Sequence, residues 1–425
     1  MTTFNKVRIG DLMTWVKGCN ISRDDTSADG NIPYLHYGDL YKKYDGCLNL
    51  PDVLDDIIKI DNLDSVKDSQ MLHDGDIVFT LTSETVDDLG HCTLIINPDD
   101  VPFVSGMETT ILHLKTPEKA LPKYLNYVFQ TEGFRKILRQ YVTGMKVYRV
   151  HPKDMMNIEI NLPSVNEQNK IVGILDSFSD SISNLTKIND NLFKMLESEY
   201  NNISDNYPGE IELSSLCHIV KDKISSNGLT INNYYSTENM LPNKAGVIPA
   251  ASLPLGGKVT HCAEGDVLIS NIRPYFKKIH YCSCVSGCSA DVLCFRSKKE
   301  DYSPYLYSIL RSDDFFDYAV AGSKGTKMPR GDKKQIMQYM IPNPPKDVLD
   351  SFNIISKGIL STISNNCRLS QQLVCMRDFI IPKLMSNEID ISTLRLPAKY
   401  SFMRETPHDY ESERGSKEQS KGKNQ

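Results

Sequence analysis

Long apolar runs are missing from this 425-residue chain. None approaches the roughly 20 residues that a membrane-spanning helix needs, which excludes a bundle of apolar spans. The opening residues, Met1 to Arg8, hold no apolar stretch of the secretory kind. Eleven cysteines, an odd number at irregular spacing, give no disulfide framework. These absences predict reduced thiols, a cytoplasmic location and no membrane partner. A basic excess is missing too. The formal net charge is −6, so any contact with a polyanion has to come from a local face rather than from the whole surface.

Catalytic signatures are equally scarce. Gly322-Ser-Lys-Gly-Thr-Lys327 has the wrong spacing to cradle phosphates, and no Gly-x-Gly-x-x-Gly follows a strand. The nine histidines form no His-Glu-x-x-His group. Asn343-Pro344-Pro345 has the outline of an adenine-methyltransferase loop, but Lys346 stands where an aromatic would stack on a flipped base. The turn chemistry of this segment fits a strand-to-helix connector. Cys282, Cys284, Cys288 and Cys294, with His280 nearby, are weighed as zinc ligands. Their spacing does not match paired zinc knuckles, and the first half of the chain puts Val101, Phe103 and Met107 opposite three of them. The expectation is therefore no catalytic residue, no metal and no cofactor in this chain.

What is present is a repeat. Shifted by 181 positions, residues 104–163 fall on 285–344 without a gap: Tyr124 on Tyr305, Phe134 on Phe315, Gly144 on Gly325, Pro163 on Pro344. So long a period means tandem domains rather than a solenoid. Each copy opens on an alternating stretch, Val7–Leu12 and Ile211–Leu216, which reads as a strand. Each then has a Gly-Asp turn (Gly75-Asp76, Gly265-Asp266) feeding a β-rich run. Each closes on a long helical pattern. Ile171, Ile174, Phe178, Ser181, Leu185, Ile188, Leu192 and Met195 form an a/d seam; the second copy runs from Phe352 to Met376 with Thr362 and Asn366 as polar intrusions. Pro382 should end or kink the second helix. The predicted domains are 1–163, a helix at 164–205, 206–344, a helix at 345–390 and a disordered polar tail at 391–425. The fold class is α+β: two pseudo-symmetric α/β domains separated by two long antiparallel coiled-coil helices.

Basic residues are the remaining lead. Lys146, Tyr148, Arg149 and Lys153 follow Gly144; Lys324, Lys327, Arg330 and Lys334 surround Gly325, with Lys146, Arg149 and Lys153 falling on Lys327, Arg330 and Lys334. Glycine-opened loops carrying Lys and Arg suit phosphate and guanine contact; a solvated surface loop is the plain alternative. Two further stretches interleave aromatics with cations, Tyr34–Tyr44 and Ser270–Lys278 with Arg273 at its centre. Either also reads as a strand with alternating faces.

The chain resembles the DNA-specificity subunit of type I restriction-modification systems. The resemblance is carried by Asn157-Ile-Glu-Ile-Asn-Leu-Pro163 through Glu167-Gln168 to Ile171, by Phe379-Ile-Ile-Pro382-Lys-Leu384 through Glu388-Ile389, and by Gly265–Lys278 and Gly325–Lys333. The second helix departs from the pattern, since it lacks Glu-Gln. The resemblance implies two target-recognition domains, each reading half of a split, asymmetric double-stranded DNA site, with the helices as a ruler. It implies a non-catalytic chain that scaffolds two modification subunits, which use S-adenosylmethionine, and two restriction subunits, which use ATP and Mg²⁺. Glu167, Gln168, Ile171, Pro382 and Leu384 would face those partners. A stand-alone DNA methyltransferase or nuclease is the alternative.

Overall fold

The computed structural model describes residues 4–21, 23–27, 30–64 and 66–389. The expectation for the tail at 391–425 lies outside the described residues. Two compact units emerge, Met1–Asp180 with Leu373–Gln425, and Ser181–Gln372.

In the first unit a five-stranded sheet orders its strands as Met13–Lys17, Thr109–Leu114, Ile77–Thr80, Cys92–Ile96 and Gly46–Asn49. All neighbours are antiparallel except the last pair. The helices Pro122–Gln130 and Glu132–Arg139 cover one face, with Phe79, Phe129 and Phe134 at their junction. The second unit has a four-stranded antiparallel sheet, Cys217–Ile219, Val292–Ser297, Val267–Ser270 and Ile279–Tyr281. Ser303–Arg311 and Asp313–Ala321 cover it in the same way.

The repeat holds at the level of single hydrogen bonds. The Tyr124 hydroxyl donates to the Asn161 carbonyl at 3.0 Å and its counterpart Tyr305 to Pro342 at 2.8 Å. Thr131 and Ser312 each cap a helix by accepting from the backbone N–H three residues on, both at 3.2 Å. Gly75 and Gly265 take φ of 86° and 84°, where a side chain would be strained. Asp76 and Asp266 accept from the turn backbone N–H of His73 and Ala263, both at 2.7 Å.

The opening stretches differ from the strand reading. Only Asn5–Arg8 and Gly209–Glu212 are strands; Ile9–Leu12 and Leu213–Leu216 coil into single helical turns. Ile9 and Leu12 are both buried, a three-residue spacing that a helical turn puts on one face and a strand does not. The opening strands pair with Glu159–Leu162 and Met340–Pro342, the strands that lead into the long helices.

The long helices run Val165–Asn206 and Lys346–Met385. Within the first unit, Ile171, Val172 and Leu175 share a core with Leu384 and Met385. Within the second, Leu196, Tyr200 and Ile203 share one with Leu349, Phe352, Ile359 and Ile363. In each unit low numbers meet high ones, so the segments pack antiparallel. The seam drifts from the heptad reading. Ile188, Met195, Ile355, Leu369 and Met376 are exposed, while Asn189, Leu196, Ser356 and Ile363 are buried. A straight helix of 3.6 residues per turn rotates by roughly 20° per heptad, and the buried stripe follows it. Asn366, an intrusion in the heptad reading, donates to Asn189 at 2.8 Å. Pro382 neither ends nor breaks the helix, which continues to Met385; Pro382 itself is exposed, so the carbonyl that loses its N–H partner can be hydrated.

Candidate nucleic-acid interface

Each unit presents a short loop closed by two backbone hydrogen bonds. In the first unit the Thr143 and Arg149 N–H groups each donate to the other's carbonyl, both at 2.9 Å. In the second unit Lys324 and Arg330 do the same, again at 2.9 Å. Gly144 and Gly325 open the loops with φ of 104° and 107°. A Cβ on Gly144 would stand 2.1 Å from the Val147 carbonyl oxygen, so the tight turn requires glycine there. The loop's return limb joins the rest of its unit. Tyr148–Arg149 pairs with Thr82–Ser83, and Arg330 bridges Ile272.

The charges on these loops differ between the units. Lys146, Arg149 and Lys153 are exposed and make no ion pair among the described residues; Tyr148 is half-buried. Arg135 and Arg139, behind them, engage Asp45 and Glu132. In the second unit Lys324 Nζ lies 2.5 Å from Asp332, and Arg330 Nη2 lies 3.0 Å from Asp291. The Lys324 ammonium, helped by the backbone N–H groups of Lys334 and Gln335, holds the Asp332 carboxyl below its ordinary range. Lys327 and Lys334 stay exposed and unpaired among the described residues. Arg273 sits beside this loop, its N–H donating to the Pro329 carbonyl at 2.7 Å. The structure therefore brings Arg273, Lys324, Lys327 and Arg330 together. Asp291 and Asp332 escaped the sequence reading. Asp332 precedes Lys333 as a helix cap would, a legible signal; Asp291 is 39 residues from Arg330 and left none.

The residues expected to face partner proteins divide. Gln168 is fully buried. Its carbonyl accepts from Leu121 N–H at 2.8 Å, and its amide donates to the carbonyls of Lys119 and Pro163 at 2.8 and 2.9 Å. Ile171 and Leu384 are buried in the same core. These three are corrections: each is enclosed by its own unit, leaving no face for a partner. Glu167 accepts from Ser164 N–H and Oγ at the helix start, a capping arrangement, and remains half-exposed; Pro382 is exposed. The Tyr34–Tyr44 stretch is structural. Tyr34 is buried with its hydroxyl on the Ile21 carbonyl, and Leu40, Tyr41 and Tyr44 pack on an apolar cluster.

Among the described residues no three His, Cys, Asp or Glu side chains are placed to hold a metal ion. Cys282, Cys288 and Cys294 belong to the second unit's core with Tyr235, Met240 and Leu268, and Cys284 is exposed. Among the described residues no helix is long and apolar enough to cross a membrane.

Residues 1–193 match the family model described as type I restriction modification DNA specificity domain. A specificity subunit of a type I restriction enzyme, MjaIX from Methanocaldococcus jannaschii, is 24% identical over 318 residues, which is 64% of this chain and 70% of that one. The chain is similar to type I specificity subunits. A second relative, the EcoDI specificity subunit of Escherichia coli, is 28% identical over 81 residues, covering 19% of this chain and 18% of the relative. The fold agrees. The crystal structure of a type I S subunit from M. genitalium aligns at a TM-score of 0.53 and 15% identity, covering 90% of this chain and 96% of that one. The family match ends within the first long helix; the second unit carries the same architecture through the internal repeat.

Proposed function

We propose that this chain is a type I specificity subunit, the DNA-reading component of a restriction-modification complex, and performs no chemistry itself. Each unit reads one half of a split, asymmetric double-stranded site. Two modification subunits, carrying S-adenosylmethionine, and two restriction subunits, using ATP and Mg²⁺, assemble on it in the cytoplasm. The observation that carries this reading is the recurrence of one glycine-opened cationic loop, with the same hydrogen bonds, at the same place in both units of an acidic chain. Such loops present Lys and Arg to phosphates and base edges. Glu167, half-exposed, and Pro382, exposed, lie near the helix ends and are the candidates for partner contact.

The test is single-molecule mapping of N6-methyladenine in cells with and without this gene. The expected result is one bipartite motif that vanishes with the gene. A genome whose methylation is unchanged refutes the reading. Methyl transfer or DNA cutting by the purified chain alone would favour a self-sufficient methyltransferase or nuclease. Binding to modification subunits without DNA selectivity would reduce the chain to an assembly scaffold.

A further inference from the structure

The two cationic loops are alike, but the turns beside them are opposite in charge. Thr82 and Ile272 stand seven residues beyond Gly75 and Gly265, and each pairs with the return limb of its loop. Two further hydrogen bonds match: Val150 N–H to the Leu81 carbonyl at 2.9 Å, and Gly331 N–H to the Asn271 carbonyl at 3.2 Å. Ser83 and Arg273 are therefore structural equivalents. From there the first unit runs Ser83-Glu84-Thr85-Val86-Asp87-Asp88, without a cation. The second runs Arg273-Pro274-Tyr275-Phe276-Lys277-Lys278.

Most cations around Arg273 are already engaged. Lys277 lies 2.6 Å from Asp313, the Lys278 ammonium donates to the Thr237 carbonyl at 2.6 Å, and Lys324 and Arg330 are held by Asp332 and Asp291. Arg273 makes no ion pair among the described residues, and its Nε is buried without an acceptor. Its backbone sits at φ 50°, the left-handed region that non-glycine residues seldom adopt, and is pinned there by Pro329. A half-buried guanidinium without a counter-charge is costly unless a ligand supplies the acceptors. Its planar fork matches the paired O6 and N7 acceptors of guanine in the major groove. Tyr275 and Phe276, partly exposed with ring centroids 4.7 Å apart, flank it.

We propose that Arg273 reads a guanine in the half-site bound by the second unit, and that the first unit, with Ser83 in its place, reads its half-site without such a contact. This inference rests on the DNA-reading function proposed above. The test is the methylation motif conferred by Arg273→Lys in the full chain, expressed with its modification subunits. Lysine keeps the charge and tolerates the backbone, as Lys277 does at φ 51°, but loses the fork. Preference for guanine at one position of one half-site should weaken in Arg273→Lys and fall roughly 5- to 150-fold in Arg273→Ala, which removes every donor. The other half-site and the spacer should stay unchanged, and thermal unfolding of the variant should match the parent. An unchanged motif, with weaker binding and a flatter salt dependence in Arg273→Ala, would mean a phosphate contact and overturn the inference. If the parent chain confers no motif, the function itself fails, which is a distinct result.

Discussion

Asp291 and Asp332 pair with two exposed cations of the second unit's loop, and removing those carboxylates tests whether the loop faces DNA. Asp291→Asn with Asp332→Asn keeps the side-chain shape, and asparagine retains the helix cap that Asp332 provides to Lys334 and Gln335 N–H. What changes is the pairing of Lys324 at 2.5 Å and Arg330 at 3.0 Å. Each freed cation that reaches a phosphate adds about 0.9 to the slope of log affinity against log salt. Two of them steepen the slope by about 1.8, so raising salt fourfold costs the variant about 12 times more affinity than the parent loses. Fluorescence anisotropy of a labelled duplex with no recognition site, from 50 to 200 mM salt as in ordinary titrations, reads this directly. The companion variant Lys146→Ala with Arg149→Ala removes two unpaired cations from the first unit and should flatten the slope by about 1.8. A slope unmoved by the aspartate changes, with the companion variant behaving as expected, would show that the second loop points away from DNA. A slope unmoved by both would remove the loops from the interface.

Two further outcomes follow from the geometry. Gln168→Ala leaves the Leu121 N–H and the Lys119 and Pro163 carbonyls without partners, and should destabilise the protein by about 1–3 kcal/mol, read by urea unfolding; an unchanged midpoint would contradict the internal role of this glutamine. Gly144→Ala forces a Cβ to within 2.1 Å of the Val147 carbonyl, so DNA affinity should fall at least severalfold while thermal unfolding of the whole chain moves little. Full retention of binding would mean that the shape of the first loop is not needed.

Much of the architecture is legible in the sequence. The register of 181 survives because the residues that carry it, Tyr124 and Tyr305, Thr131 and Ser312, Gly144 and Gly325, answer to local rules of capping, turn geometry and hydroxyl satisfaction. Relations that depend on distant chain were illegible. Arg330 reads as a free cation until Asp291 is folded against it. Gln168 reads as a surface motif residue until three backbone groups close around it. The exposed side of each long helix was misassigned by one residue because a heptad template was laid on helices that follow 3.6 residues per turn.

The Asn189–Asn366 hydrogen bond acts as a vernier mark on the second unit's helix pair. Sliding one helix along the other would leave the buried Asn189 side chain without this partner, a loss that an all-apolar seam would not impose. Lengthening only one helix beyond that mark therefore has to be absorbed as strain or as a bulge. Turns added to both helices together leave the mark aligned. Among edits to this pair, matched insertions in both helices are the ones that keep the two asparagines in register.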